Sequence, residues 1–200
     1  RQGKLTMYAT FFEDGLYKTT DGGQTWAKAS QGLGNPGNMH VYRLRIQPPS
    51  GDLYCLITAF RDGRDFNVPG GVWRSNDGAA TCTDVTAKAK LCWPNDFAIH
   101  PTDGKTIYIA AATAPGKAEG GVWRTTDGGA NWAHVLKDAD LAKWCPPPYT
   151  HGMMVRLHPD HPDWVYFGSS SHGLWLSRDG GTTWKVFEKF PFRAVQNITF

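Results

Sequence analysis

The chain has 200 residues, a formal net charge of +3 and a hydrophobic content of 40%. The small charge, without a run of Lys or Arg, argues against nucleic-acid binding, and no segment has the roughly 18 consecutive apolar residues of a membrane span. Cys55, Cys82, Cys92 and Cys145 form no Cys-x-x-Cys pair, so no structural zinc site, metal or cofactor is predicted. Whether Cys92 and Cys145 form a disulfide is a question that the sequence leaves open.

Short segments rich in β-branched and aromatic residues follow one another along the chain, and helical periodicity is absent. Residues 1–30 contain three predicted strands. The stretches 38–87, 94–137 and 151–188 contain four predicted strands each. The third stretch shows the order: a first strand "DFAIHP", a second "KTIYIAA", a third "GVWRTT" and a fourth "WAHVL". A last segment, "RAVQNITF", resembles a first strand without its successors.

One turn sequence recurs between the third and fourth predicted strands. Its aspartates are Asp21, Asp77, Asp127 and Asp179, separated by 56, 50 and 52 residues. A period of about 50 residues, with four strands in each period, predicts the blades of a propeller.

We therefore expect an all-β fold, a β-propeller of four-stranded antiparallel blades in one domain over 1–200. The predicted blades are 1–30 plus 192–200, 38–87, 94–137 and 151–188, so that both ends complete one blade. Four blades could close alone, belong to a longer chain with further blades, or self-assemble from two copies, and the sequence leaves these alternatives open.

The turn follows the pattern Ser/Thr-x-Asp-Gly-Gly-x-Thr-Trp and resembles the Asp-box, or BNR repeat, of sialidase-like, xyloglucanase-like and sortilin-like propellers. The copies at 19–26 and 177–184 match at every position. The copy at 125–132 has Asn131 for Thr, and the copy at 75–82 has Ala79 for Gly and Cys82 for Trp. The resemblance implies that these turns lie on the side away from the ligand site.

The four turn aspartates are predicted to be structural. An Asp carboxylate can accept hydrogen bonds from the backbone of its own turn, Gly adopts the positive φ that such a turn requires, and the Ser or Thr hydroxyl adds a local bond. A loop for an anion or a metal is the competing interpretation.

Ligand-binding candidates lie in the loops from the fourth to the next first strand and from the second to the third strand. Aromatic rings among polar groups suit sugar rings. The predicted ligand-binding residues are His40, Trp93, Trp144, Tyr149, His151 and His172. Asp96, at the start of a first strand, is the candidate catalytic acid.

Two classes of function agree with this pattern. The first is a secreted, extracellular or periplasmic propeller that binds a saccharide or a protein on this loop face. The alternative is a portion of a glycoside hydrolase, sialidase-like or xyloglucanase-like, which needs two carboxylates about 5–9 Å apart. The sequence lacks the Arg-Ile-Pro motif of sialidases, and it leaves open whether the chain is an enzyme.

Overall fold

The computed structural model describes residues 5–62, 65–114, 116, 118–137 and 153–200, with the backbone alone for 61, 62 and 65–67. Regular structure in these residues consists of strands β1 to β17. Within this part of the chain, no helix is long and apolar enough to cross a membrane. The chain divides into two compact units, Arg1–Ala87 and Lys88–Phe200.

The first unit holds two antiparallel meanders and a small ribbon. The first sheet has the order β1-β2-β3 and the second the order β4-β5-β8-β9, while β6 and β7 pair with each other. The strands are β1 (Met7–Phe11), β2 (Gly15–Thr19), β3 (Ala27–Lys28), β4 (Val41–Ile46), β5 (Leu53–Ile57), β6 (Phe60–Asp62), β7 (Asp65–Val68), β8 (Gly71–Ser75) and β9 (Thr83–Asp84).

The second unit holds two four-stranded antiparallel sheets, in the orders β10-β11-β12-β13 and β14-β15-β16-β17. These strands are β10 (Trp93–Ile99), β11 (Ile107–Ala112), β12 (Gly121–Thr125), β13 (Ala133–Lys137), β14 (Met154–Leu157), β15 (Val165–Gly168), β16 (Leu174–Ser177) and β17 (Lys185–Val186). All strand pairs in the four sheets are antiparallel, which confirms the predicted all-β fold of antiparallel propeller blades.

The second strand of each later sheet is the most buried, because it has strands on both sides and packing on both faces. Every residue of β5 and of β11 is buried, and both strands are continuously apolar, as two-sided burial requires. Leu53, Cys55 and Ile57 enter the core of the first unit. Val155 and Phe167 enter the core of the second. Burial of such side chains contributes roughly 1.5–3 kcal/mol each.

Residues 191–200 form no strand, and the first sheet has three strands in the described part of the chain. Two isolated backbone bonds hold this segment: Val195 N–H donates to the Ser169 carbonyl at 3.0 Å, and Gly173 N–H donates to the Arg193 carbonyl at 2.7 Å. The composite blade of 1–30 and 192–200 stays a prediction. The single domain and the remaining blade boundaries stay predictions.

Candidate functional site

The Asp-Gly-Gly turns are closed by hydrogen bonds to their own aspartate. The Ser177 hydroxyl donates to Asp179 Oδ1 at 2.7 Å, and Thr183 donates from its hydroxyl to Oδ2 at 2.6 Å and from its backbone N–H to Oδ1 at 2.8 Å. The Gly181 N–H in turn donates to the Ser177 hydroxyl at 2.7 Å. One carboxylate therefore ties both ends of the turn together.

The departures from the consensus keep this arrangement. Asn131 replaces a Thr, and its side-chain amide donates to Asp127 Oδ2 at 2.8 Å, where the other turns use a hydroxyl. Ala79 replaces a Gly and takes a left-handed φ of 70°, which costs a residue with a Cβ about 1–2 kcal/mol. Its N–H still donates to the Ser75 hydroxyl at 2.8 Å. Its methyl group is buried beside Cys82 in the core of the first unit.

These bonds stabilise the ionised carboxylates. The hydroxyl and N–H of Thr183 lower the pKa of Asp179 to about 2, and the N–H and side-chain amide of Asn131 lower the pKa of Asp127 to about 2. The pKa values of Asp21 and Asp77 are also held well below their usual range, chiefly by the following Thr hydroxyl. Within the described part of the chain, no group of three His, Cys, Asp or Glu side chains could hold a metal ion. The contacts are those that a structural role requires.

The turns also connect neighbouring sheets within each unit. Tyr108 and Arg124 face each other across β11 and β12, and both donate to the Gly180 carbonyl, at 2.9 and 2.5 Å. In the first unit, Tyr8 and Lys18 face each other across β1 and β2. Both donate to one glycine carbonyl of the second sheet's turn, at 3.4 and 2.7 Å. We call such a Tyr and its basic partner a turn-binding pair.

A cluster of aromatic and ionisable side chains lies in the loops of the first unit. The ring of Phe12 stacks on that of His40 with centroids 4.1 Å apart and planes at 16°, and the ring of Phe60 meets His40 edge-on at 5.0 Å. Glu13 Oε1 lies 3.7 Å from His40 Nε2. Phe12 is 56% exposed, so this cluster presents an aromatic face beside a carboxylate.

The backbone around this cluster is fixed by local bonds. Glu13 has a left-handed φ of 74°, which for a residue with a side chain marks a constrained turn. Beside it, Asp14 accepts hydrogen bonds from the Tyr17 hydroxyl at 2.5 Å and from Lys28 at 2.7 Å. The buried Asn38 accepts a bond from the His40 N–H at 3.1 Å. These bonds fix the two loops that carry the cluster.

Burial determines the protonation of His40. The imidazole is almost fully buried, and its burial lowers the pKa below the usual value, while the Glu13 carboxylate raises it and partly offsets that effect. Neutral imidazole is therefore the form that the folded protein favours.

Asp96, the candidate acid, is buried and paired. A register shift between Pro94 and Asp96 interrupts the pairing of β10 with β11, and such bulges redirect side chains. The Asp96 carboxylate accepts a hydrogen bond from the Val155 N–H at 3.3 Å and forms an ion pair with Arg156. It therefore links β10 to β14, the first strands of the two sheets of the second unit. Its role as an acid stays a prediction.

The other predicted ligand residues have separate surroundings. Trp93 is partly buried against the core of the second unit, so it is not a free platform. The ring nitrogen Nδ1 of His172 lies 3.0 Å from the Ser171 hydroxyl, and its carbonyl accepts a bond from Trp175 Nε1 at 2.9 Å. Trp144, Tyr149 and His151 lie outside the described residues. Sequence reasoning missed Phe12, although an apolar ring directly after β1 in a tight turn is a usable signal.

These four sheets, each with an aspartate-closed turn between its last two strands, define a β-propeller of the sialidase-like, xyloglucanase-like and sortilin-like type, as the sequence predicted. The chain belongs to the Sortilin-Vps10 family, whose model, described as sortilin, neurotensin receptor 3, matches residues 70–195. No match was found among the curated proteins.

Solved structures share the fold at low sequence identity. The chain is similar to the GH74 xyloglucanase from Xanthomonas campestris, with a TM-score of 0.70 and 22% identity over 93% of this chain and 29% of that one. For the GH74 enzyme of Niastella koreensis the TM-score is 0.66 and the sequence identity 18%, over 92% of this chain and 28% of that one. For YCF48 bound to D1 peptide the TM-score is 0.55 and the sequence identity 16%, over 95% of this chain and 52% of that one. The chain thus spans less than a third of the GH74 enzymes and about half of YCF48.

Proposed function

We propose that this chain is part of a ligand-binding propeller and that its first unit binds a saccharide on the cluster of Phe12, Glu13 and His40. The observation that carries the proposal is the stack of Phe12 on His40, with Phe12 more than half exposed beside a carboxylate. Trp93, Trp144, Tyr149, His151 and His172 stay predicted ligand-binding residues.

The inner face of Phe12 is covered by His40, so its outer side offers a flat apolar surface. The C–H face of a sugar ring can stack on such a surface, while hydroxyl groups bond to nearby polar atoms. His40 is itself held by Phe60 and by Asn38. A platform that is fixed beforehand loses little conformational entropy on binding, which favours affinity.

The polar groups beside the platform favour a neutral saccharide over an acidic one. The Glu13 side chain is 74% exposed, and its carboxylate can accept hydrogen bonds from sugar hydroxyls. Asp14, the next residue, has a lowered pKa because Lys28 and Tyr17 bond to it. Two carboxylates at this turn would repel an acidic ligand.

A glycan array followed by calorimetry tests the proposal. Phe12→Ala should abolish or weaken saccharide binding at least about tenfold, the loss of one stacking contact of roughly 1.4 kcal/mol. Phe11→Ala is the matched control because Phe11 is adjacent and equally exposed, at 55%. It packs edge-on against Tyr17 and away from His40. Equal effects of both substitutions, or no glycan bound by the protein, would refute the saccharide site.

A protein or peptide ligand is the second candidate, favoured by the membership of the Sortilin-Vps10 family and by the similarity to YCF48 bound to D1 peptide. A peptide array with the same two variants separates the candidates, because a peptide that requires Phe12 in the absence of any glycan binding would select this alternative.

A glycoside hydrolase portion is the third candidate, supported by the fold similarity to GH74 enzymes. The burial of Asp96, which is 1% exposed, and its ion pair with Arg156 speak against it, because a general acid must be within hydrogen-bond reach of the glycosidic oxygen. A saccharide ligand agrees with an extracellular or periplasmic location, which is part of the same proposal.

A further inference from the structure

The carboxylate of Glu13 lies at the edge of the aromatic stack and has no cationic partner in the described part of the chain. Its Oε1 is 3.7 Å from His40 Nε2, which is beyond the range of about 2.7–3.2 Å that such hydrogen bonds span. Among the residues that the structure describes, no Lys or Arg forms an ion pair with it. The carboxylate is therefore available to a ligand.

His40 does not balance the negative charge of Glu13. The almost complete burial of the imidazole lowers the pKa of His40 below its usual value, so the ring is neutral at pH 7. The other two members of the stack, Phe12 and Phe60, are apolar rings. The charge of Glu13 thus remains uncompensated beside an exposed aromatic side chain.

The next carboxylate in the chain is arranged differently. Asp14 accepts a bond from Lys28 at 2.7 Å and one from the Tyr17 hydroxyl at 2.5 Å, so its charge is balanced next to the turn. The ammonium group of Lys28 is thereby engaged by Asp14. The turn that joins β1 to β2 consequently holds one balanced carboxylate and, at Glu13, one that is open to a ligand.

An aromatic face beside an unbalanced carboxylate suits an ammonium group. The electron-rich face of an aromatic ring attracts a cation, and a carboxylate supplies both the opposite charge and hydrogen-bond acceptors. Phe12 provides the aromatic face, because it stacks on His40 and is still 56% exposed. A hydroxyl group at the same position would gain hydrogen bonds alone, so an ammonium group is favoured over it.

The Glu13 side chain can reach the rim of a sugar ring that stacks on Phe12. It is 74% exposed, and within the described chain no hydrogen bond holds its carboxylate. The backbone below it is constrained, since Glu13 has a left-handed φ of 74°. A fixed backbone with a movable carboxylate allows the charge to follow a substituent at the rim of the sugar.

We infer that the saccharide bound by the first unit is an amino sugar with a free ammonium group, which Phe12 and Glu13 recognise together. This inference rests on the proposed saccharide site and adds the chemical class of its ligand. The carboxylate that disfavours an acidic sugar also favours a cationic sugar over a neutral one. An N-acetylated amino sugar, which carries no charge, falls outside the class.

NMR titration with three methyl glycosides tests this inference, because the method measures weak affinities. The glycosides of glucosamine, N-acetylglucosamine and glucose differ in one substituent, which is an ammonium, an acetamide or a hydroxyl group. At pH 7 the amino group is largely protonated, since an amino group beside electron-withdrawing substituents titrates near an α-amino group, at about 7.7–8.0. The glucosamine glycoside should bind at least about fivefold more tightly than the other two.

Two matched variants assign the preference to a residue. Glu13→Gln should bring the three affinities within about twofold of one another, because it removes the charge and keeps the size of the side chain. Glu188→Gln is the control, since Glu188 is exposed, lies in the second unit and undergoes the same change. The control should keep the full preference for the ammonium group. Thermal melting verifies that both variants are folded.

The outcomes distinguish this inference from the proposed function. If the glucose glycoside binds as tightly as the glucosamine glycoside and Phe12→Ala weakens both, the inference is overturned and the saccharide site stands. A preference that Glu13→Gln leaves unchanged, or that Glu188→Gln also removes, overturns the inference as well. Failure of all three glycosides to bind has the same consequence, and an empty glycan array in addition overturns the proposed function.

Discussion

The hydroxyl group of Tyr108 donates a 2.9 Å hydrogen bond to the carbonyl oxygen of Gly180, 72 residues away. Gly180 follows Asp179, whose carboxylate closes the turn, so the aspartate fixes the direction in which this carbonyl points. The Asp-Gly turn is thereby a contact between sheets as well as a local turn. The bonds of Tyr8 and Lys18 to Gly78 repeat the arrangement in the first unit.

Removal of the Tyr108 hydroxyl tests this contact. Tyr108→Phe should lower the free energy of unfolding by about 0.5–1.5 kcal/mol, the net contribution of one hydrogen bond. Burial raises the pKa of Tyr108 to about 12, so the hydroxyl donates throughout the neutral range. Urea denaturation measures the change. Tyr42→Phe is the control because Tyr42 is 43% exposed, and an equal loss in both variants would contradict the contact's importance.

Acid should loosen the turns in a defined pH window. The folded-state pKa of Asp127 is about 2, below its usual value of 3.8, so the ionised form stabilises the folded state. This stabilisation is complete above about pH 4 and is lost as the pH falls through about 2. Asp127→Asn should lower the melting temperature at pH 6 and approach the unsubstituted protein near pH 2. A difference in melting temperature between the two proteins that stays constant from pH 6 to pH 2 would show that ionisation of the carboxylate contributes nothing to stability.

Asp96 should behave as a structural residue. Asp96→Asn keeps an oxygen for the Val155 N–H but removes the charge that faces Arg156, and loss of one partner of a buried pair costs about 3–5 kcal/mol. Chemical denaturation measures this loss. The double variant with Arg156→Met should lose less than the sum of the two single losses, because both remove the same pair. Unchanged stability together with lost hydrolysis of a glycoside would instead identify Asp96 as a catalytic acid.

The titration of His40 reports its two opposing influences. Burial lowers its pKa below 6.5 and Glu13 raises it, so Glu13→Gln should lower the pKa further. The buried neutral imidazole of His40 contributes to stability above about pH 6.5. This contribution is lost as the pH falls from there through the folded-state pKa of His40. NMR of the ring protons measures the pKa. Asp14→Asn is the control because Asp14 bonds to Tyr17 and Lys28, and an equal shift in both variants would refute the Glu13 contact.

The strands and turns were predictable because their chemistry is local. Runs of β-branched and aromatic residues favour strands, and the run "KTIYIAA" covers most of β11. The aspartate, the small hydroxyl residue and the glycines of each turn lie within a few residues, so their bonds could be predicted from spacing alone. The pairing of β6 with β7 was not predicted, since such pairing depends on which strands folding brings side by side.

The sequence by itself therefore determined the repeated sheets and the closed turns, because each depends on side chains that are neighbours in the chain. Only the tertiary structure decided the use of Asp96, which meets Arg156 60 residues later, and the stacking of Phe12 on His40. These contacts form between loops or strands that folding brings together. Which residue each of these side chains meets depends on packing geometry, and the spacing of residues along the chain does not encode that geometry.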